Sequence, residues 1–481
     1  MILRRFYDEQ LAQASYLVAC AASGEAVVID PTRDVLQYIE VARSEGVGIT
    51  HVTETHIHAD FVSGARELAQ RAHAHLLLSG EGGPDWSYAF ADADGATLLH
   101  DGDCFRIGNI RIDVVHTPGH TPEHLTFVVT DGAAADEPMG AATGDFLFVG
   151  DVGRPDLLEK AAGVTGTMEA GARTLFRSLE RFRASYPEWL QIWPGHGAGS
   201  ACGKGLSAVP HSTLGYEARF NWALNIRDED AFVSAVLAGQ PEPPKYFAQM
   251  KRINRDGPRV LGGIPQPSHV DATRLEDVLR AGTPIVDTRA ADAYAEAHVP
   301  GTINIPLNRS FTNWAGSLLP YDQDLYLLTV SPATACDATR DLTMIGLDRV
   351  AGYFTADAMH TWASVGHPTG RLARISADAL AERLRTGEVT VLDVRGRAEY
   401  AEGHLPGVLN IPLPELPDRL DDVPDTAPLV VHCETGSRSA IAASVLKAQG
   451  HRDVSNFVGG YAEWARSGRP TERGAEAAAT A

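Results

Sequence analysis

Chemistry in this chain rests on two constellations of residues. The segment ITHVTETHIHADFVSG sets His56, His58 and Asp60 at alternate positions directly after an apolar strand. On an extended chain such positions point the same way, so three side chains able to bind a metal converge. Further on, VVHTPGHTPEH supplies His120 in a Pro-Gly turn, TGDFLF supplies Asp145 after a strand, and WPGHG supplies His196 in another turn. Any one of these histidines alone reads as structural. Four strand-end turns that carry His or Asp to one sheet edge read as a metal site.

The second constellation is a cysteine loop. LVVHCETGSRSAIAASVLKAQG passes from a strand through Cys433 into a helix. Glu434, Thr435, Gly436 and Ser437 form a tight loop whose N–H groups can point at the sulfur. The helix N-terminus adds a positive potential and Arg438 a full charge. All three favour a thiolate, so Cys433 is expected to be a nucleophile and a persulfide carrier.

Four flanking residues stay open. FVGDVGRPDLL puts Arg154 just beyond the Asp145 strand, where it either meets an anionic group on a carrier thiol or is a surface arginine. Cys202, in the glycine-rich GSACGKG, either lines the pocket or is a small packed residue. His116 and His124 flank His120 and read as scaffolding or chance.

Rigid elements must stand behind these groups, and 481 residues, at roughly 150 per domain, predict about three bodies. An internal repeat locates two of them. IVDTRAADAYAEAHVPGTINIPL matches VLDVRGRAEYAEGHLPGVLNIPL, with Asp287 and Asp393 at an offset of 106. That period is too long for a solenoid and suits a small domain duplicated in tandem. Each copy opens on an apolar run ending in Asp, then a polar helix, a Pro-Gly turn and another strand, which is an α/β unit with a parallel sheet.

Ahead of the repeats, Ala26 to Ile29, Arg111 to Val115 and Leu125 to Val129 are short and β-rich. KRINRDGPRVLGGIPQPSHV carries no sustained period and reads as a linker. The expected division is a metal domain over 1–252, a linker over 253–269, repeat domains over 270–370 and 373–472, and a fraying tail over 473–481.

Composition removes whole classes of function. A net charge of −21 repels phosphate backbones and weakens attraction to membrane surfaces, so neither nucleic acid nor membrane is expected as a partner. No apolar run approaches the ~18 residues of a spanning helix. MILRRFYDEQLAQ lacks the apolar core of a signal peptide, which argues against secretion by that route. Cys20, Cys104, Cys202, Cys336 and Cys433 are odd in number and scattered without a close pair, so a disulfide framework is not expected and a reducing cytosol fits.

The metal-ligand order over about residues 1–250 resembles the metallo-β-lactamase superfamily, an αββα sandwich with its metal site along one edge. That motif usually ends His-x-His-x-Asp-His, and here the last position is Phe61. Asp60, the residue at Phe61 and His196 match the positions that hold the second metal in two-zinc members. Phenylalanine cannot ligate, which argues against a complete dinuclear hydrolytic site. Persulfide dioxygenases of this superfamily hold one non-haem Fe(II) with two histidines and an aspartate, and the resemblance assigns those roles to His56, His120 and Asp145. Such a triad leaves three positions open for a substrate sulfur and O₂. His58, Asp60 and His196 would then orient the ligands and hold water.

Residues 373–472 resemble the rhodanese sulfurtransferases in Asp393 to Arg395, HLPGVLNIP and the Cys-x4-Arg loop. Related phosphatases use Cys-x5-Arg, and the shorter loop leaves room for a sulfur atom. The first copy keeps DTR and HVPGTINIP. Aligning Gly346 with Gly450, an offset of 104, sets Thr329 opposite Cys433 and Thr334 opposite Arg438. Cys336 falls seven positions late, so this copy resembles an inactive homologue and is expected to have a structural or positional role, such as a spacer that sets the distance between the two active sites.

Together the three bodies resemble persulfide dioxygenase–sulfurtransferase fusions of cytosolic sulfide detoxification. The resemblance implies one Fe(II) per chain, a thiol persulfide and O₂ as substrates, sulfite and thiosulfate as products, and a homo-oligomer. Two alternatives stand beside it: a glyoxalase II-like zinc thioester hydrolase joined to a rhodanese, and a sulfur carrier with a vestigial metal domain.

Overall fold

Strand Gln13–Cys20 is buried at every position, which a strand achieves when both faces of its sheet are covered. Its side chains divide by alternation. Leu17 and Ala19 enter one apolar cluster with Tyr38, Ala42, Leu68 and Ala69, and Tyr16 and Val18 enter another with Ile112, Val114, Phe127 and Trp193. The first cluster lies under helices Leu36–Ser44 and Ala65–Ala72, and the second lies between two sheets.

Six strands make the first sheet, in the order Ile2–Asp8, Gln13–Cys20, Glu25–Ile29, Gly48–Thr53, His75–Ser79 and Thr97–Leu99. Six make the second, in the order Ser212–Thr213, Gln191–Pro194, Gly140–Gly144, Leu125–Asp131, Ile110–His116 and Cys104–Ile107. Helices Met168–Ser185 and Glu229–Leu237 cover the outer face of the second sheet through Leu175, Leu179, Phe182, Phe232 and Val236. This is the expected αββα sandwich.

The computed structural model describes residues 1–157, 159, 166–425 and 428–474, so most of the expected tail lies outside the described residues. The chain divides into one compact unit of Met1–Pro265 with Thr343–Gly346 and another of Gln266–Leu342 with Leu347–Ala481. Part of the expected linker is helix, since Phe247–Asp256 runs through Lys251 and Ile253. The helix buries Phe247, Met250 and Asn254 on one face. A buried asparagine at the third of those positions is what hides the apolar period from a sequence reading.

The second unit holds both repeats as parallel sheets. Strands Ile303–Asn304, Ile285–Asp287, Leu325–Thr329 and Val350–Thr355 form the first. Ala373–Ile375, Val454–Phe457, Leu429–His432, Thr390–Asp393 and Leu409–Asn410 form the second. Asp287 pairs with Leu328 and Asp393 with His432, so Thr329 and Cys433 follow at the same position of the two sheets.

Candidate metal centre and cysteine loop

Four turns at one end of the sandwich deliver the metal-binding side chains. His56 follows strand Gly48–Thr53, His120 follows Ile110–His116, Asp145 follows Gly140–Gly144, and His196 follows Gln191–Pro194. Gly144 lets the aspartate turn inward. Its φ is +46°, and a Cβ there would lie 2.4 Å from Thr55 Oγ1 and 2.8 Å from His124 Nε2.

Among the described residues two groups can hold an ion, His56 with His120 and Asp145, and Asp60 with His196 and Cys202. All six residues are buried, and within each group the ligand atoms lie within 4.8 Å of one another. Asp145 joins the two groups. Its Oδ2 lies 3.5 Å from His120 Nε2 and 4.0 Å from His56 Nε2, while its Oδ1 lies 3.4 Å from His196 Nε2. Asp60 Oδ2 is 3.3 Å from the same His196 nitrogen.

Hydrogen bonds on the far side of each ring fix which nitrogen faces the centre. His120 Nδ1 donates to the Arg154 carbonyl at 2.9 Å, His196 Nδ1 to the Ala12 carbonyl at 3.0 Å, and His56 Nδ1 to Thr55 Oγ1 at 3.0 Å. Thr55 Oγ1 in turn donates to Asp30. The Nε2 lone pairs are therefore left for a metal. His56 Nε2, His196 Nε2 and both oxygens of Asp60 and Asp145 are buried without a hydrogen-bond partner. Buried polar atoms in that state are strongly disfavoured unless something binds them, so these residues fit a metal ion.

Electrostatics agree. Burial, and then the neighbouring imidazoles, hold His56 well below the usual histidine range, and burial likewise lowers His120. Both are neutral ligands-in-waiting near neutral pH. His58 differs. Burial opposes its charge, but Asp30 at 3.2 Å, with Glu54 and Asp60, overrides this and pushes it up to about 9. Its Nε2 meets Asp30, and its ring packs on Phe61 with centroids 4.4 Å apart.

Several residues sit otherwise than the sequence suggests. Arg154 is neither at the surface nor free to meet an anion. It is fully buried, its guanidinium is forked onto Asp156 at 2.8 Å, and it also donates to the Ala201 and Pro241 carbonyls. It braces the turn whose carbonyl orients His120, because an uncompensated buried charge would be too costly. Cys202, open between two readings, has its sulfur in the second donor group, and burial followed by Asp145 and Asp60 pushes its thiol well above the usual range. The loss of a ligand at Phe61 thus does not leave Asp60 and His196 without a third donor. His124 is scaffolding: its Nε2 accepts the Asp145 N–H at 3.1 Å and its Nδ1 meets Thr117. Asn254 was not anticipated. Its Nδ2 donates to the His58 and Phe61 carbonyls and its Oδ1 accepts the Ser63 N–H, clamping the whole ligand loop.

The cysteine loop is built by a buried strand and a 12-residue helix, Ser437–Ala448. Gly436 N–H donates to Cys433 Sγ at 3.2 Å. Gly436 has a φ of +95°, and a Cβ there would lie 2.1 Å from the Val458 carbonyl oxygen. Asn456 ties the loop down, donating to the Gly436 carbonyl and accepting from Ser439 Oγ at 2.7 Å. Arg438 does stand at the loop, but its guanidinium is forked onto Glu399 at 2.6 and 2.7 Å. Glu434 reaches back to Arg395, which is itself forked onto Asp393. No feature of sequence spacing announced Glu399.

A family model described as the metallo-beta-lactamase superfamily matches residues 9–196, and one described as the rhodanese-like domain matches 271–354 and 376–467. The crystal structure of a metallo-beta-lactamase from Staphylococcus aureus subsp. aureus COL is 45% identical, with a TM-score of 0.68, over 74% of this chain and 99% of that one. A probable metallo-hydrolase of Burkholderia pseudomallei is 31% identical over 56% of this chain and 95% of its own length. The mitochondrial persulfide dioxygenase ETHE1 of Homo sapiens is 28% identical over 41% of this chain and 68% of its own, and a sulfurtransferase of Allochromatium vinosum is 37% identical over 20% and 91%.

Proposed function

We infer, for a chain that belongs to the metallo-β-lactamase superfamily in its first unit and to the rhodanese-like family in its second, that it is a non-haem iron persulfide dioxygenase joined to a sulfurtransferase. The observation that carries the reading is the buried His56, His120 and Asp145 group, two imidazoles and one carboxylate with unmet ligand atoms, in one chain with the Cys433 loop. Ferrous iron held there would supply open positions for a persulfide sulfur and for O₂, and the electrons that activate O₂. The first reaction is RSSH + O₂ + H₂O → RSH + SO₃²⁻ + 2H⁺.

Each part of the chain has a definable task. The Arg154 carbonyl keeps the proton of His120 on Nδ1, and Thr55 does the same for His56. His124 holds the Asp145 backbone so that both carboxylate oxygens face the centre. In the second unit, Cys433 sulfur attacks the outer sulfur of RSS⁻ and releases RS⁻. Sulfite then takes that sulfur from Cys433 as thiosulfate and restores the thiolate. Gly436 N–H stabilises the sulfur anion in both steps. Five cysteines without a disulfide suit a reducing cytoplasm, and no helix among the described residues is long and apolar enough to cross a membrane.

Metal analysis with O₂ uptake on glutathione persulfide tests the reading. Iron at about one per chain with sulfite formed is the expected outcome. A second reading, a zinc hydrolase of thioesters, is favoured by one observation, the Asp60, His196 and Cys202 group that gives a second ion a place. Two zinc ions per chain with thioester cleavage and no O₂ uptake would establish it instead.

A further inference from the structure

The cations around Cys433 are already engaged. Arg438 is forked onto Glu399, Arg395 is forked onto Asp393 with Glu434 on its remaining side, and Arg397 is forked onto Glu415. We propose that Glu399 is a specificity-determining residue of the cysteine loop: by occupying Arg438 it makes the loop a poor host for the dianions thiosulfate and sulfite, and leaves thiol persulfides as the preferred sulfur donors. The proposal rests on the sulfurtransferase reading of Cys433 and adds which donor it takes.

Glu399 is held in place independently of Arg438. It lies on helix Arg397–Glu402, and its Oε2 also accepts the Gly396 N–H at 3.1 Å. Arg438 gives both of its terminal nitrogens to this carboxylate, at 2.6 and 2.7 Å, and is only partly exposed. Burial opposes its charge, but Glu399 and then the Cys433 sulfur overcome this and push its pKa up. One guanidinium therefore serves two acceptors, the Glu399 carboxylate and whatever anion occupies the loop. The repeat separates this pair from the frame. The first copy keeps Arg289 on Asp287, Asn304 on the same turn and Tyr294 on His298, yet it has Thr334 for Arg438 and Ala293 for Glu399. Cation and carboxylate are missing together in the copy that lacks the nucleophile, which fits a pair that serves the loop.

Charge then decides between donors. Sulfur enters as Cys433-S⁻ + RSS⁻ → Cys433-SS⁻ + RS⁻, or as Cys433-S⁻ + S₂O₃²⁻ → Cys433-SS⁻ + SO₃²⁻. In the first, the reacting groups bring one negative charge beside the thiolate, and the Gly436 N–H with the start of helix Ser437–Ala448 opposes it. The second brings a dianion whose oxygens match a guanidinium fork. That fork is filled, so thiosulfate must displace Glu399 and add an unpaired carboxylate to the charge of Glu434. Sulfite meets the same competition on the way out. Because no residue alters an equilibrium constant, the two directions are weakened by one factor, and thiosulfate once formed is released rather than held.

Single-turnover loading of Cys433 in the full metal-loaded chain without O₂, read as the mass of one added sulfur on its peptide, tests this in wild type and Glu399→Gln. Wild type should load from glutathione persulfide at least about tenfold more efficiently than from thiosulfate. Glu399→Gln should raise kcat/KM for thiosulfate, and for discharge by sulfite, about five- to tenfold through KM, while the persulfide gains less than about twofold. Calorimetric titration with sulfate, an unreactive dianion, should show the same gain in affinity, and adding Arg438→Gln should remove it. The proposal is overturned if wild type uses thiosulfate as well as the persulfide, if Glu399→Gln leaves the donor ratio unchanged, or if the sulfate gain is absent or survives Arg438→Gln. Should Glu399→Gln fail to fold, the wild-type preference alone decides. Loading from neither donor would remove the sulfurtransferase reading, and the sulfate titration would still decide whether Glu399 competes for Arg438.

Discussion

The two rhodanese copies share a frame and differ where chemistry would occur. In each, an arginine two residues after the strand forks onto its aspartate, Arg289 on Asp287 at 2.6 Å and Arg395 on Asp393 at 2.7 Å. In each, an asparagine ties that turn by two carbonyls, Asn304 to those of Asp287 and Arg289, Asn410 to those of Asp393 and Arg395. In each a tyrosine stacks on a histidine four residues later, with ring centroids 4.0 Å apart for Tyr294 and His298 and 3.8 Å for Tyr400 and His404. The loops then part. Thr329 stands for Cys433, Pro332 for Gly436, Thr334 for Arg438 and Ala335 for Ser439. Pro332 matters as much as the missing thiol, because proline has no N–H to aim at a sulfur. Glu399, partner of Arg438, is Ala293 in the first copy. A fold can lose nucleophile, donor and cation together and keep its frame, since the frame is held by buried pairs elsewhere.

The first copy has not lost contact with the chemistry. Asn304 N–H donates to Ser444 Oγ at 2.9 Å, so its edge strand lies against the helix that carries the Cys433 loop at its start.

Cys433→Ser should break the difference between the copies most severely, lowering sulfur transfer by about a thousandfold or more while sulfite formation continues. Thr329→Cys should give no transfer in its place, because Pro332 offers no donor. Sulfur transfer that survives His120→Ala, in a protein whose wild type forms no sulfite, would favour a carrier with an idle metal domain. Asp393→Ala should destabilise by about 3 kcal/mol, since it leaves the buried Arg395 with only Glu434 as an ion-pair partner, and Asp287→Ala by less, because Arg289 is only partly buried and so partly hydrated; thermal melts compare them. Gly436→Ala should cost about 1–3 kcal/mol for its backbone strain and reduce transfer further by shifting the loop off Cys433, read by rate and melt together.

The smallest effect concerns Glu399. Burial resists its ionisation, but Arg438 overcomes this and holds its carboxyl below the usual glutamate range. The ion pair's stabilisation is therefore complete above the ordinary glutamate pKa and is lost as pH falls through the lowered one. Both groups are partly exposed, so screening leaves about 0.5–1 kcal/mol. Melts of wild type and Glu399→Gln should converge at acid pH.

What the sequence by itself determined was local. Residue types at short spacing, His-x-His-x-Asp and Cys-x4-Arg, together with the repeat of DTR and DVR, laid out the ligands, the loop and the duplication. These rest on strand alternation and on turns a few residues long, which a linear pattern carries. The αββα layering followed from the resemblance those motifs carry. Tertiary structure decided what depends on residues far apart. It set Cys202 beside Asp60, turned His58 to Asp30, sealed Arg154 between Asp156 and two carbonyls, brought Asn254 to the ligand loop and Glu399 to Arg438. Each is a side-chain contact whose partner is fixed only when buried charge and polar groups must be satisfied in the packed molecule, a condition that no spacing along the chain records.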